Sequence, residues 1–408
     1  MIVNPLIRGH WPSLLGAWLH FEVSFMVWLL IGALGVVIAE EFGLSATQKG
    51  FLVAIPILGG ALLRIPVGLS SDMLGAKRTG LALLLGQMAV LAWGWTGATT
   101  YSELLGVGLC LGMAGASFAV ALPIASRAYP SEHQGLATGV AASANSGTVL
   151  AVFFAPRLEQ FVGWHGVFGL ALVPVTLTLC LFGWLVHADP REQCRDGEVP
   201  QSWIHAVSEL FKRPSAYWLC LAYAITFGGF VGLCSFLPIF LHDQYELNLI
   251  AAGSVAALCG LAGSLVRPFG GFLADRFNPL RILLVIFVGI SLSAVLLGQI
   301  FPILWASGII AGTVALMGCG NGVIFRLVSD RFRAQMGLAS GVIGAAGALG
   351  GFLLPSWLGL LRDATGTYLN GFLLLGGVSA VAAVSVSVAI RRERLSMATV
   401  LGARGVLR

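Results

Sequence analysis

The chain is a succession of apolar runs of about 20 residues, the length that spans a bilayer as a helix, parted by short polar breaks. Twelve runs can be read. They begin near Trp11, Gly50, Gly80, Leu104, Leu136, Gly166, Ala216, Ala251, Ile282, Leu304, Gly337 and Gly371. The longest polar stretch, Ala188 to Pro214, carries Asp189, Arg191, Glu192, Arg195, Asp196, Glu198, Lys212 and Arg213, and it divides six runs from six. The pattern predicts an all-α membrane protein of twelve transmembrane helices in two pseudo-symmetric six-helix bundles. The expected parts are an N-terminal bundle (1–187), a cytoplasmic linker (188–214), a C-terminal bundle (215–390) and a short basic cytoplasmic tail (391–408).

The halves repeat each other in detail. LLRIPVGLSSDMLGAKR (62–78) aligns without a gap with LVRPFGGFLADRFNPLR (265–281). The shared positions are Leu62/Leu265, Arg64/Arg267, Gly68/Gly271, Asp72/Asp275 and Arg78/Arg281. GLATGV from Gly135 and GLASGV from Gly337 form a second pair, each opening a run rich in glycine and alanine. A repeat with a period of half the chain is a sign of transporter architecture. Small residues at these places let helices pack closely, line a site, or do both.

Composition sharpens the picture. The 408 residues are 57% hydrophobic and 10% charged, far below the roughly 25% charge of a soluble protein. Mean hydropathy is +0.90. The first run is too long for a cleavable leader and reads as a span. The net charge of +5 is scattered over many short loops, so no nucleic-acid partner is implied. Seven cysteines lack metal-ligand spacing, and neither a metal nor a cofactor is expected. No nucleophile–base pair or phosphate loop points to an enzyme. With the N-terminus inside, eighteen of the 23 Lys and Arg residues fall in inside segments, and only Lys49, Arg157 and Arg362 fall outside. The positive-inside rule therefore places both termini in the cytoplasm.

Arg64 and Arg267 belong to neither set. A charge deep in a span costs at least roughly 2.5–3.5 kcal/mol, and the spans offer almost no carboxylate to pair with. Two arginines at matching depths point to an anion site between the halves, where each planar fork suits a flat oxyanion. Glu22 is the one acid well inside a span. It reads as a proton-coupling site or counter-charge, or as a protonated acid in a helix interface. His20 is expected to satisfy a local hydrogen bond. Asp72, Arg78, Asp275 and Arg281, at inside helix ends, are expected in gate and structural contacts.

GLSSDMLGAKR and GFLADRFNPLR resemble the loop motif of the major facilitator superfamily, although the second copy has Asn278 in place of the later glycine. More closely, the chain resembles the nitrate/nitrite porter family, whose arginines on spans two and eight match Arg64 and Arg267. Its two glycine-rich signatures resemble Gly135–Gly147, which includes Asn145, and Gly337–Gly351, which lacks the asparagine. GASF places Phe118 on span four, and YAITF places Tyr223 and Phe227 on span seven. The resemblance implies the major facilitator fold and a substrate site of Arg64, Arg267, Phe118, Asn145, Tyr223 and Phe227. It implies carriage of nitrate and/or nitrite by alternating access across the cell (inner) membrane. Nitrate uptake coupled to protons through Glu22 is the expected mode. The alternatives are nitrate/nitrite exchange, a carrier of another small monovalent anion such as formate or chloride, and a non-transporting sensor. A monomer embedded in lipid is expected.

Overall fold

The computed structural model describes residues 9–130, 134–187, 203–299, 301–332 and 336–405. The linker charges from Asp189 to Glu198 lie outside the described residues, as do Arg8, Arg333 and Arg408. Every described element is helical. Ten helical segments are long and apolar enough to cross a membrane. One of these, Ala137–Leu185, holds two spans. The chain reverses at Gly163, whose φ of 68° and ψ of 167° are open to glycine at little cost. The first span is broken at Leu29 and Leu34 into Trp11–Trp28, Leu30–Ala33 and Gly35–Glu41. Counting it and dividing the long segment gives twelve.

Several helices begin a few residues before their apolar runs, because polar residues cap them. Span two is Ala46–Leu74, capped by Ser45 with Gln48 completing a capping box. Span three is Ala76–Thr96 and span four opens with Tyr101–Gly115, capped by Thr100 and Glu103. Span eight is Leu249–Arg276, capped by Asn248. The two loop motifs solve one corner in two ways. Gly75 turns it with a φ of 91°. Asn278 keeps a φ of −61° and instead accepts the amides of Leu280 and Arg281 at 3.0 and 3.2 Å, capping Pro279–Leu297. The missing glycine of the second motif is thus replaced by an asparagine cap.

Packing repeats between the halves. Span two lies along span four, and span eight along span ten, Ile303–Arg331. Span three packs on span six, and nine on twelve. Across the molecule span two packs on span eleven, Met336–Thr365, and span five on span eight. The glycine signatures explain themselves here. A side chain on Gly147 would run into the Glu22 carbonyl of span one, and one on Gly350 into the Ala224 carbonyl of span seven. Each of these glycines seats one backbone directly on another.

Two departures from the sequence pattern follow. A helix at Trp203–Phe211 falls within the stretch read as linker. The last helix, Leu369–Gly405, runs on without a break where the tail was expected to begin at 391.

Candidate functional site

Arg64 is buried to 2% exposure in the second half of span two. Its Nε donates to the Gly115 carbonyl at 3.2 Å, and its Nη1 donates to the Gly344 carbonyl of span eleven. The first acceptor is made available by a break in span four, which resumes as Phe118–Arg127. The Ala119 amide bonds to the Ala116 carbonyl at 2.9 Å and leaves that of Gly115 to Arg64. The guanidinium carbon lies 5.6, 5.5 and 4.9 Å from the ring centres of Trp28, Phe118 and Phe227. Each ring contributes about 0.5–2 kcal/mol, and a hydrogen bond from a charged group about 1.5–3 kcal/mol. Together these offset the insertion cost of the charge, so Arg64 needs no carboxylate. Trp28 is fully buried and fixed by an Nε1 hydrogen bond to the Pro56 carbonyl at 2.8 Å. Its ring occupies the room left by Gly60 and Gly115.

Arg267, on span eight, is held less tightly. It is partly exposed, is hydrogen-bonded to the Tyr223 hydroxyl, and lies 5.9 Å from the Phe325 ring. Tyr223 and Phe227 stack at 4.9 Å with planes 7° apart. Tyr223 ends the helix Pro214–Tyr223, and Phe227 lies in the π-helical turn Ala224–Gly228 that follows. Such wide turns recur at functional sites. This one rests against span eleven, where Gly347 faces both rings and Gly350 and Gly351 face the turn's backbone.

Arg64, Arg267, Phe118, Tyr223 and Phe227, joined by Phe21 and Phe25 of span one, line one cavity between the halves. Its volume is about 10 Å³, roughly the room one water needs. Five of the six residues expected in a substrate site are thus brought together. Asn145 is not among the lining residues. It is buried in the short 3₁₀ turn Ala144–Ser146, its side-chain oxygen without a hydrogen-bond partner. Trp28, Phe325, Phe21, Phe25 and the carbonyls of Gly115 and Gly344 went unread in the sequence. For Phe21 and Phe25 a signal existed, since one helical turn separates them on one face. An aromatic such as Phe325, in a chain with 24 phenylalanines, carries none.

Glu22 is 6% exposed but faces span five. Its carboxyl oxygens accept from the Ser146 hydroxyl at 2.9 and 3.1 Å and from the Gly147 amide. Its neighbours in sequence, not Glu22 itself, line the cavity. The expectation for His20 needs correction. Its Nε2 lies 3.2 Å from the Gly80 carbonyl of span three, so the bond joins two spans and is not local. Helical neighbours take up their own carbonyls, which leaves a buried ring to seek another helix.

Asp72 and Asp275 occupy equivalent helix ends. Asp72 pairs with Arg127 at 3.6 Å, and Asp275 pairs with Arg326, which also pairs with Asp330. Each pair stays within one half. Arg78 and Arg281 stand exposed nearby. The opposite end of the molecule is tied across the halves. Lys49 bonds both oxygens of Asp243 at 2.9 Å, and Tyr368 reaches the same carboxylate at 3.1 Å. Asp363 accepts the amides of Ala46 and Thr47 at 3.0 and 2.8 Å, capping span two from span eleven. His242 lies 3.2 Å from Glu40. Arg157 donates to Ser254 at 2.8 Å.

Comparison with known proteins bears on the fold and the family. Among solved structures, a D-xylose–proton symporter shares the fold with a TM-score of 0.73 at 18% identity, covering 94% of this chain and 97% of that one. The chain is 33% identical to the "Nitrite extrusion protein" of Bacillus subtilis, over 93% of its own length and 95% of the relative's. It is 34% identical to a "Probable nitrate/nitrite transporter NarK2" of Mycobacterium tuberculosis, over 92% and 95%. It is 30% identical to a "Probable nitrate transporter NarT" of Staphylococcus carnosus, over 90% and 93%. The Major Facilitator Superfamily model matches residues 17–355. With that match and these relatives, the chain belongs to the Major Facilitator Superfamily of membrane transporters, among its nitrate/nitrite porters.

Proposed function

We propose that this protein carries nitrate and nitrite across the cell membrane by alternating access, with nitrate taken up together with protons. The observation that carries the reading is a pair of arginines, one from each half, on one aromatic cavity between the halves. Nitrate is planar and monovalent. Guanidinium forks meet its edges while rings confine its faces. The names of the relatives support the same substrates. A four-atom anion needs more room than the cavity offers, and Arg267, held by fewer groups than Arg64, is the side that yields.

In this reading the termini and the region between the bundles face the cytoplasm, and the end carrying Lys49 and Asp243 faces outward. Opening to the outside breaks the ties at that end. Asp72, Arg78, Asp275 and Arg281 contribute to the inner gate. Glu22 exchanges a proton during the cycle through its bond to span five. The protein works as a monomer in the bilayer. Uptake of labelled nitrate and nitrite into proteoliposomes, with and without a pH gradient, tests the reading. Saturable nitrate uptake enhanced by an inward proton gradient supports it. Transport of formate or chloride but not of nitrate or nitrite overturns it.

One observation favours a second reading, nitrate/nitrite exchange without protons: the Glu22 carboxyl faces Ser146 rather than the cavity. Two facing arginines repel until an anion lies between them, so a carrier without a counter-charge crosses poorly when empty. Exchange that persists while proton-driven net uptake is absent selects this reading.

A further inference from the structure

Gly344 lies in the second glycine signature, on span eleven, and its carbonyl receives Nη1 of Arg64 across the boundary between the halves. Gly115, on span four of the same half as Arg64, receives Nε. The two carbonyls therefore fix the guanidinium plane from two sides, one from each half. Nη2 has no protein partner among the described residues. A carbonyl in a helix keeps a second lone pair for such a donor. It is reachable only if the residue carrying it leaves room. A Cβ on Gly344 would stand 3.4 Å from Nη1, 3.8 Å from Cδ of Arg64 and 3.5 Å from the Phe118 ring. A methyl at this position would touch Arg64 and Phe118 at ordinary contact distance, whereas a branched side chain would extend beyond that contact and press on one of them. On the same helix a Cβ on Gly341 would meet no described atom within 4 Å, so the constraint at 344 is local.

We propose that Gly344 is a positioning residue for anion binding: its carbonyl, with no branched side chain beside it, holds the Arg64 fork in aim, so span eleven of one half orients the arginine of the other. The proposal rests on reading the cavity as the nitrate site. Packing of span two on span eleven then sets the anion affinity, and any motion that parts these spans at that level releases the fork.

The test measures nitrate/nitrite exchange in proteoliposomes for wild type and for Gly344→Ala, Gly344→Val and Gly341→Val, with thermal unfolding of each purified variant as a check on folding. Loss of one charged hydrogen bond corresponds to about tenfold or more in affinity. Gly344→Val is expected to raise KM for nitrate by that factor with Vmax within about twofold. Gly344→Ala, whose methyl only touches Arg64 and Phe118, keeps KM within about twofold of wild type, and the branched Gly344→Thr is measured as well and serves if the valine variant does not fold. Gly341→Val keeps the wild-type KM. Phe118 is the other neighbour of the added side chain, so Phe118→Leu is combined with Gly344→Val. Phe118 lines the cavity itself, so the KM of the pair is read against that of Phe118→Leu alone and is expected to stay above it, because it is the arginine that is displaced. Wild-type KM in Gly344→Val and Gly344→Thr, a fall in Vmax alone, or a KM in the double variant equal to that of Phe118→Leu alone overturns the proposal. A wild type that transports neither anion overturns the nitrate reading itself, and this one with it.

Discussion

Arg64 and Arg267 occupy matching places in the repeat, yet their surroundings differ. Arg64 is closed in by two carbonyls and three rings, whereas Arg267 has one tyrosine and one ring. Lysine keeps the charge but has no planar fork. Arg64→Lys and Arg267→Lys are each expected to weaken nitrate binding by about 100-fold, the scale of losing a bidentate charged pair. Tryptophan fluorescence or calorimetric titration reads the loss, and wild-type affinity in both variants would make the arginines structural. A second prediction concerns Glu22, held by Ser146 and the Gly147 amide. Glu22→Gln keeps the shape and removes the proton site. Net uptake driven by a pH gradient should collapse, while exchange of external nitrate for internal nitrite survives. Full net uptake by Glu22→Gln would remove Glu22 from the coupling. The arginines and Glu22 were legible because a charge inside an apolar run has to be explained. Asn145 was named only through its motif, and the cavity leaves it out.

At the scale of elements, the decisive approaches are backbone on backbone. The π-helical turn of span seven presents Tyr223 and Phe227 as parallel plates because Gly347, Gly350 and Gly351 let it lie on span eleven. Overpacking a close approach destabilises by about 1–3 kcal/mol. Gly350→Val, whose side chain would enter the Ala224 carbonyl, should therefore lower the unfolding temperature measured by intrinsic fluorescence. Gly308→Ala, where a Cβ meets nothing within 4 Å, should leave it unchanged. Equal effects would mean that the turn does not depend on the glycine face. The glycine signatures were visible in the sequence as packing or site-lining segments. The wide turn itself was not, since no residue type encodes an i to i+5 hydrogen bond.

At the scale of the whole molecule, one end is tied across the halves, while at the other the pairs of Asp72 with Arg127 and of Asp275 and Asp330 with Arg326 each join residues of one half. Lys49 and Asp243 are 20% and 16% exposed, so solvent screens their pair less than it would an open surface one. Asp363 adds two charge-assisted hydrogen bonds to the free amides of span two. Asp363→Ala combined with Lys49→Ala should shift the population toward opening at that end by about tenfold or more, taking roughly 1 kcal/mol for each tie removed. Electron-spin distances between labels at Gln160 and Gln244, one on each half, would show a longer component grow. An unchanged distribution would show that these ties do not hold the end closed.

The sequence by itself determined the number of spans, the division into halves and the two intramembrane arginines. Water and hydrocarbon impose these: a span must be apolar for its full length, and a charge placed inside one stands out against that requirement. Only the tertiary structure decided which groups meet. It gave Arg64 the carbonyls of Gly115 and Gly344, gave Glu22 to Ser146, and carried His20 to Gly80 of another span. It also set the two ends of the molecule apart by their pairings. Those choices depend on the rotation and register of helices against one another. Helix–helix packing fixes them through small differences in shape, spread over residues whose types are interchangeable along the chain.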